Sequence, residues 1–421
     1  MKIFWKLGSV AVVAVMTSAL SAEVMDRPVG IKIGERLTLK PYLSFSAAYD
    51  SNVDGRSDGR EDIVWVANPG LGIEYKAETW MIKANAFYQF NAYSKHNSEN
   101  VNNYHAYGED LTYNWTDSLP GERGWSLMLM EKYMNINQID DIVNSSGTEY
   151  GRDRQEFKMA GALQRRFGGG FHADLNCSYY WLDYENDDNT SYSMYGWNRW
   201  LVGLELGYAP SKWTDILIAG SYQGYQQDNT QNTSYSDFSR SNSSEGWTIQ
   251  GGIGSFATER ITYRLLGGVS TFRYAESDAD TLNGFTYTVS GNWKISDTWN
   301  TMLLATSYYQ PSETSYSSAT RVDSVSWGLA HSMVRGKLRA TFDAAYRREG
   351  REYSGTTDYD YDLDIMSFRL GLYYTLNRYL ELFTNFEFRQ SMVSGQSSSS
   401  SRGDMYDYDR FRAQLGVRFT Y

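Results

Sequence analysis

One cysteine, Cys177, and six prolines in 421 residues are the first scarcities of this chain. A single thiol excludes a disulfide scaffold and the paired-cysteine metal motifs. Long apolar runs are missing as well. Beyond the first residues no stretch reaches the ~18 needed by a membrane-crossing helix, which excludes a helical membrane protein. Basic residues are outnumbered, 39 against 50 acidic, for a formal net charge of -11. No basic stripe interleaved with stacking aromatics is present, so no nucleic-acid partner is expected. What the chain does hold is 13 Trp, 35 Tyr and 18 Phe, together 16% of it, and 37 Gly. That is too aromatic for a disordered chain. It points to a polypeptide that is polar on average and apolar on one face.

The N-terminus has the three regions of an export signal: Lys2 and Lys6, the apolar stretch 7–16, and the small residues Ala19-Leu20-Ser21-Ala22. Residues 1–22 are expected to be cleaved. Their apolar core is about half the ~20 residues of a spanning anchor, and no Cys follows it, so neither a membrane anchor nor a lipoprotein is expected. Residues 23–421 are expected to form one domain beyond the inner membrane of a Gram-negative bacterium.

From Leu37 onward, alternating segments of ten to fourteen residues are joined by short turns and longer polar loops in turn. In the last segment Phe411, Ala413, Leu415, Val417, Phe419 and Tyr421 share one face, and Arg410, Arg412, Gln414, Gly416, Arg418 and Thr420 the other. A soluble β-sandwich shows the same period; three further features favour a membrane barrel. Connections alternate strictly between short and long. Trp80, Trp125, Trp213, Trp299 and Tyr379 fall beside five of the short turns, where an interfacial girdle would form. The chain also ends on outward Phe419 and Tyr421, resembling the C-terminal signal read by the barrel-assembly machinery. Short turns are read near Ala77, 117–124, 165–170, Pro210, Thr258, Ser296, Gly336 and Asn377, and long loops at 51–62, 94–103, 135–152, 185–198, 226–245, 275–284, 311–321, 349–362 and 394–409. The fold class predicted is an all-β, transmembrane, antiparallel up-and-down barrel of eighteen strands, or sixteen if the segments around Leu111 and Met128 are misread. No plug domain is expected before the first strand.

A barrel this wide encloses an aqueous channel by default. Its last four strands present Arg339, Arg347, Arg369, Arg389, Arg412 and Arg418, with Asp343, Glu381 and Glu387, to the lumen. These residues form either a cationic wall guiding anionic solutes or a set of ion pairs stiffening the wall. Tyr180, Tyr309 and Tyr373 are candidate sugar-stacking surfaces. The nine loops hold 26 acidic and 8 basic residues, so the acidic excess is predicted to lie outside. Asp358, Asp360, Asp362, Asp404, Asp407 and Asp409 would either meet divalent cations bridging lipopolysaccharide or serve as solvated loop residues. Asp50, Asn52, Asp54, Gly55, Asp58 and Glu61 have the spacing of an EF-hand calcium loop, with strands rather than helices on either side and Ser57 in place of an apolar residue. No other cofactor is expected. Of the four histidines, His172 and His331 fall in the periplasmic half, His96 in a loop and His105 near the outer rim, so they do not converge on a catalytic site.

The stretches Pro41-Tyr42-Leu43-Ser44, Tyr49-Asp50-Ser51-Asn52-Val53 and Asn68-Pro69-Gly70-Leu71-Gly72 resemble the opening hairpin of the putative β-barrel porin 2 family. The resemblance implies an outer-membrane barrel of this size, with some relatives linked to exopolysaccharide export, and brings no catalytic residues. It also accounts for Asp50 and Asn52 without calcium. Three functions follow as expectations. The first is a porin or channel for small hydrophilic or saccharide solutes. The second is the barrel component of an exopolysaccharide export system, with periplasmic partners on the short turns. The third and most remote is an outer-membrane hydrolase, drawn around His96-Asn97-Ser98 and Asp110, where a solvated polar loop is the alternative. Lipid and lipopolysaccharide are the expected surroundings.

Overall fold

The computed structural model describes residues 30–53, 59–95, 104–117, 123–137, 153–184, 197–227, 243–255, 260–274, 281–310, 319–352, 361–394 and 407–421. Residues 1–29, including the export signal, lie outside them. Among the described residues nineteen strands form: β1 (Ile31–Ile33), β2 (Leu37–Asp50), β3 (Asp62–Lys76), β4 (Trp80–Tyr93), β5 (Tyr104–Thr116), β6 (Gly124–Asn137), β7 (Asp153–Arg166), β8 (Phe171–Tyr184), β9 (Trp197–Ser211), β10 (Thr214–Gln227), β11 (Ser244–Gly254), β12 (Ile261–Tyr274), β13 (Leu282–Lys294), β14 (Trp299–Gln310), β15 (Ala319–Met333), β16 (Leu338–Glu352), β17 (Tyr361–Thr375), β18 (Leu380–Ser394) and β19 (Tyr408–Thr420).

Strands β2 to β19 make the wall, each antiparallel to its neighbours in sequence, and β19 closes on β2 from Arg412↔Asp50 to Thr420↔Tyr42. Closure leaves no edge strand to aggregate. The barrel therefore has eighteen strands. The segments around Leu111 and Met128 both belong to it, as β5 and β6 paired from His105↔Asn137 to Thr116↔Ser126. Strand β1 is an addition not anticipated from sequence. Pairing of β19 with β2 stops at Tyr42, with one more bond from Tyr421 N–H to the Pro41 carbonyl. That would leave the backbone of 37–39 unpaired on this side, and β1 takes it up through Ile31↔Leu39 and Ile33↔Leu37.

Alternation sorts the side chains by face. On β9, Trp200, Val202, Leu204, Leu206 and Tyr208 point outward and are exposed, while Arg199, Glu205 and the small Gly203 and Gly207 take the inner positions. Ile218 is 63% exposed and Leu415 68%, whereas Lys40, Ser44, Ser46, Asp50 and Arg418 are buried inside. Apolar outside and polar inside is the reverse of a soluble sandwich, and it is the arrangement that a lipid surround stabilises. At the short-turn rim Arg165 sits 4.8 Å over Trp125, Trp80 stacks on Tyr75 at 4.8 Å, and Arg378 lies 4.4 Å over Tyr379. Aromatic rings backed by cations are suited to the headgroup level. One of these turns depends on glycine: Gly169 and Gly170 have φ of 72° and 87° between β7 and β8, a region that favours glycine.

Candidate functional site

The inner wall divides into two sectors that differ in how their charges are arranged. In the first, direct cross-strand neighbours alternate in sign: Asp343 on β16 faces Arg369 on β17, which faces Glu387 on β18, then Arg412 on β19, then Asp50 on β2. Arg369 donates to Glu387 at 3.2 Å, and Asp50 accepts from Arg410 Nε at 2.9 Å. One turn nearer the short-turn rim, Arg418 donates to Glu381 at 3.3 Å with both side chains buried. Arg347 donates to Glu349 at 2.7 Å, and Arg339 lies 4.6 Å over the Tyr373 ring. Arg389 is opposite Ser367 and Arg410. All nine wall candidates thus share one sector, with acids interleaved among the arginines.

In the second sector the alternation stops after Asp110 on β5, which faces Lys132 on β6. Lys132 on β6 faces Lys158 on β7, which faces Tyr180 on β8, then Arg199 on β9, then Tyr225 on β10. The acid two positions along β7, Glu156, is held by Arg154 at 2.8 Å. Arg199 donates to the Tyr225 hydroxyl at 3.3 Å. Trp197 bridges the rings, 4.8 Å from Tyr180 and 5.6 Å from Tyr225. Tyr225 in turn meets Phe272 on β12 edge-on at 6.5 Å. Sequence alternation assigns each of these residues to the lumen, but only the register shows that they form one continuous row.

The outer half of β14 narrows this sector. Its pairing with β13 ends at Thr288↔Thr306. Beyond that point the Thr286 hydroxyl, from the inner face of β13, donates to the Ser307 carbonyl. Gln223 on β10 donates to the Tyr309 carbonyl at 3.3 Å. Four strand spacings separate β10 from β14 along the wall, about 19 Å at ~4.8 Å each. One hydrogen bond spans that gap because the outer half of β14, still paired with β15 to Gln310↔Thr320, has parted from β13 and lies inward of β12 and β13. Tyr309 is therefore buried against Tyr225 and Phe272, its ring over Gly284, where any added Cβ would meet it. It is not an open stacking surface. The Tyr308-Tyr309 doublet, which breaks the alternation, was the available signal for this departure.

Near the short-turn rim, His172 on β8 contacts Asp215 on β10 at 2.8 Å and Asp174 at 3.7 Å, and Arg264 on β12 donates to Glu205 on β9 at 3.0 Å. Gly207 leaves room for the His172 ring, which an added Cβ would strike. His331 stacks on Trp299 at 3.8 Å and His105 on Tyr88 at 5.9 Å. These three histidines therefore lie apart, and His96 falls outside the described residues. Phe419 and Tyr421 face outward and flank Tyr379 at 6.2 Å and 5.4 Å, so the chain end packs on the girdle.

Of the calcium-spacing residues, Asp54 and Asp58 lie outside the described residues. Asp50 takes Arg410 and the Asn52 N–H, and Asn52 donates to the Asp409 carbonyl at 3.2 Å. Glu61 accepts from Lys95 and from the Tyr49 hydroxyl, each at 2.9 Å. The Lys95 ammonium, then the Tyr49 hydroxyl, hold the Glu61 carboxyl below the usual carboxylate range. Each of the three described residues thus already has protein partners.

Residues 220–420 match the model of the family described as putative beta-barrel porin 2. The opening-hairpin motif at 41–72 lies outside that stretch, so the two observations are independent. No curated protein matches the sequence. Similar solved structures include the FrpB iron transporter from Neisseria meningitidis, at 7% identity over 94% of this chain and 83% of that chain, TM-score 0.48. The siderophore receptor PirA from Acinetobacter baumannii is 7% identical over 93% and 81%, TM-score 0.45. A bacterial polysaccharide outer membrane secretin is 8% identical over 93% and 100%, TM-score 0.35. At these TM-scores none of them assigns a solute to this chain.

Proposed function

We propose, starting from the match of residues 220–420 to the putative beta-barrel porin 2 family model, that the protein is an outer-membrane channel for small hydrophilic or saccharide solutes. The observation that carries this reading is the second sector: a row of cations and rings, without interleaved acids, on the inside of a closed barrel. Eighteen strands enclose more space than inward side chains fill. Cations lining that space raise the local concentration of anions and favour their passage. The inward-lying β14 narrows the outer half on the same side, which directs solutes along the row. No step of this passage requires bond making or breaking. Purified protein in a planar bilayer is expected to give stable, stepwise open currents. A folded barrel that passes no current, and whose deletion stops extracellular polysaccharide secretion, would instead identify an export component.

A further inference from the structure

We propose that the row Lys158–Tyr180–Arg199, with Trp197 beside it, is a binding track for acidic saccharide, that is, for sugar rings carrying carboxylate or phosphate groups. It rests on the channel reading above and names the class of solute. The three residues are successive cross-strand partners on β7, β8 and β9, so at a strand spacing of about 4.8 Å cation, ring and cation follow one another at side-chain scale. Aromatic faces stack on the C–H faces of pyranose rings, while an ammonium or guanidinium takes the acidic group.

A further observation points to a ligand. Among the described residues no hydrogen bond or ion pair joins Lys158 to a carboxylate, and Glu156, two positions away on β7, is held by Arg154 at 2.8 Å. In the opposite sector every second position of the row is an acid. Here the position between Lys158 and Arg199 is Tyr180, which places a ring rather than an acid between the two cations. A track for inorganic anions would have no use for Trp197 or Tyr180, and a track for neutral sugar would have none for Lys158 and Arg199.

The test is block of single-channel current in a planar bilayer by trigalacturonate, maltotriose and inorganic phosphate, using the full chain. Trigalacturonate is expected to interrupt the current at a concentration at least tenfold below that of maltotriose, and phosphate to be the weakest. Lys158→Gln with Arg199→Gln should erase the advantage of trigalacturonate while maltotriose still blocks. Tyr180→Ala should weaken both sugars. Heat-modifiable mobility on gels identifies variants that have folded. Equal block by trigalacturonate and maltotriose, equal block by phosphate and trigalacturonate, or folded variants that behave as the parent would overturn the proposal. If the parent conducts nothing, the channel reading fails. Calorimetric titration of trigalacturonate into the detergent-solubilised barrel then decides the track: heat that disappears in the double variant supports it, and no heat overturns it.

Discussion

The two inner sectors of this barrel are built on the same strand geometry and both carry cations, yet one is closed electrostatically and the other is open. From β16 to β2 the cross-strand order is acid, base, acid, base, acid. From β6 to β10 it is base, base, ring, base, ring. Direct neighbours of opposite sign attract and neighbours of like sign repel, so the first row is held together by its charges, while in the second Lys158 and Arg199 have no acid directly across either neighbouring strand. A count of arginines picks out the first sector; only the cross-strand neighbours show which cations face acids. The six arginines that stand out in the last four strands are, by this measure, the less informative set.

That contrast can be broken most severely at Glu381. Its partner Arg418 is 1% exposed and Glu381 itself 7%, so Glu381→Ala strands a buried guanidinium and should destabilise by roughly 3–5 kcal/mol. Urea unfolding of the barrel in liposomes measures this, and a loss under about 1 kcal/mol would mean that the sector is not held by its ion pairs. A smaller effect is expected at Gly284, where a methyl group meets Tyr309. Gly284→Ala should cost about 1–3 kcal/mol by overpacking. It should also raise conductance by lifting the outer half of β14 off β13. Unchanged conductance would remove β14 from the solute path.

Smaller again is Glu387→Gln. Arg369 and Glu387 are 51% and 31% exposed, so solvent screening limits the loss to about 1 kcal/mol or less. At the outer rim, the depressed Glu61 carboxyl contributes stability above the ordinary carboxylate range and loses it as pH falls through the lowered value. Melting curves of the parent should therefore approach those of Lys95→Met only in acid. Calcium is expected to leave the melting temperature unchanged, because Asp50, Asn52 and Glu61 are engaged by protein partners. A rise abolished by Asp54→Ala with Glu61→Ala would assign a calcium loop after all.

Much of the architecture was readable from alternation alone, because a half-buried strand must place every second residue in lipid. The eighteen strands, the outward Phe419 and Tyr421, and the inward Arg412 and Arg418 follow from that rule. Strand β1 did not, since Ile31–Ile33 is too short to show a period. Nor did the overlap of β14, which obeys alternation up to Thr306 and then lays its outward face on a neighbour. The second sector escaped for a different reason. Lys158, Tyr180 and Arg199 stand 22 and 19 residues apart, and nothing in that spacing reveals that they are cross-strand neighbours. Their meeting is set by register, and register by the turns: the glycine turn after Arg166 fixes Arg166↔His172, and every pair above it follows.

The most direct measurement is the reversal potential of the open channel under a potassium chloride gradient. The expected result is anion selectivity that falls sharply in Lys158→Gln with Arg199→Gln and stays within error of the parent in Arg369→Gln with Glu387→Gln. If the second pair shifts the potential as far as the first, the distinction between a closed and an open sector is wrong.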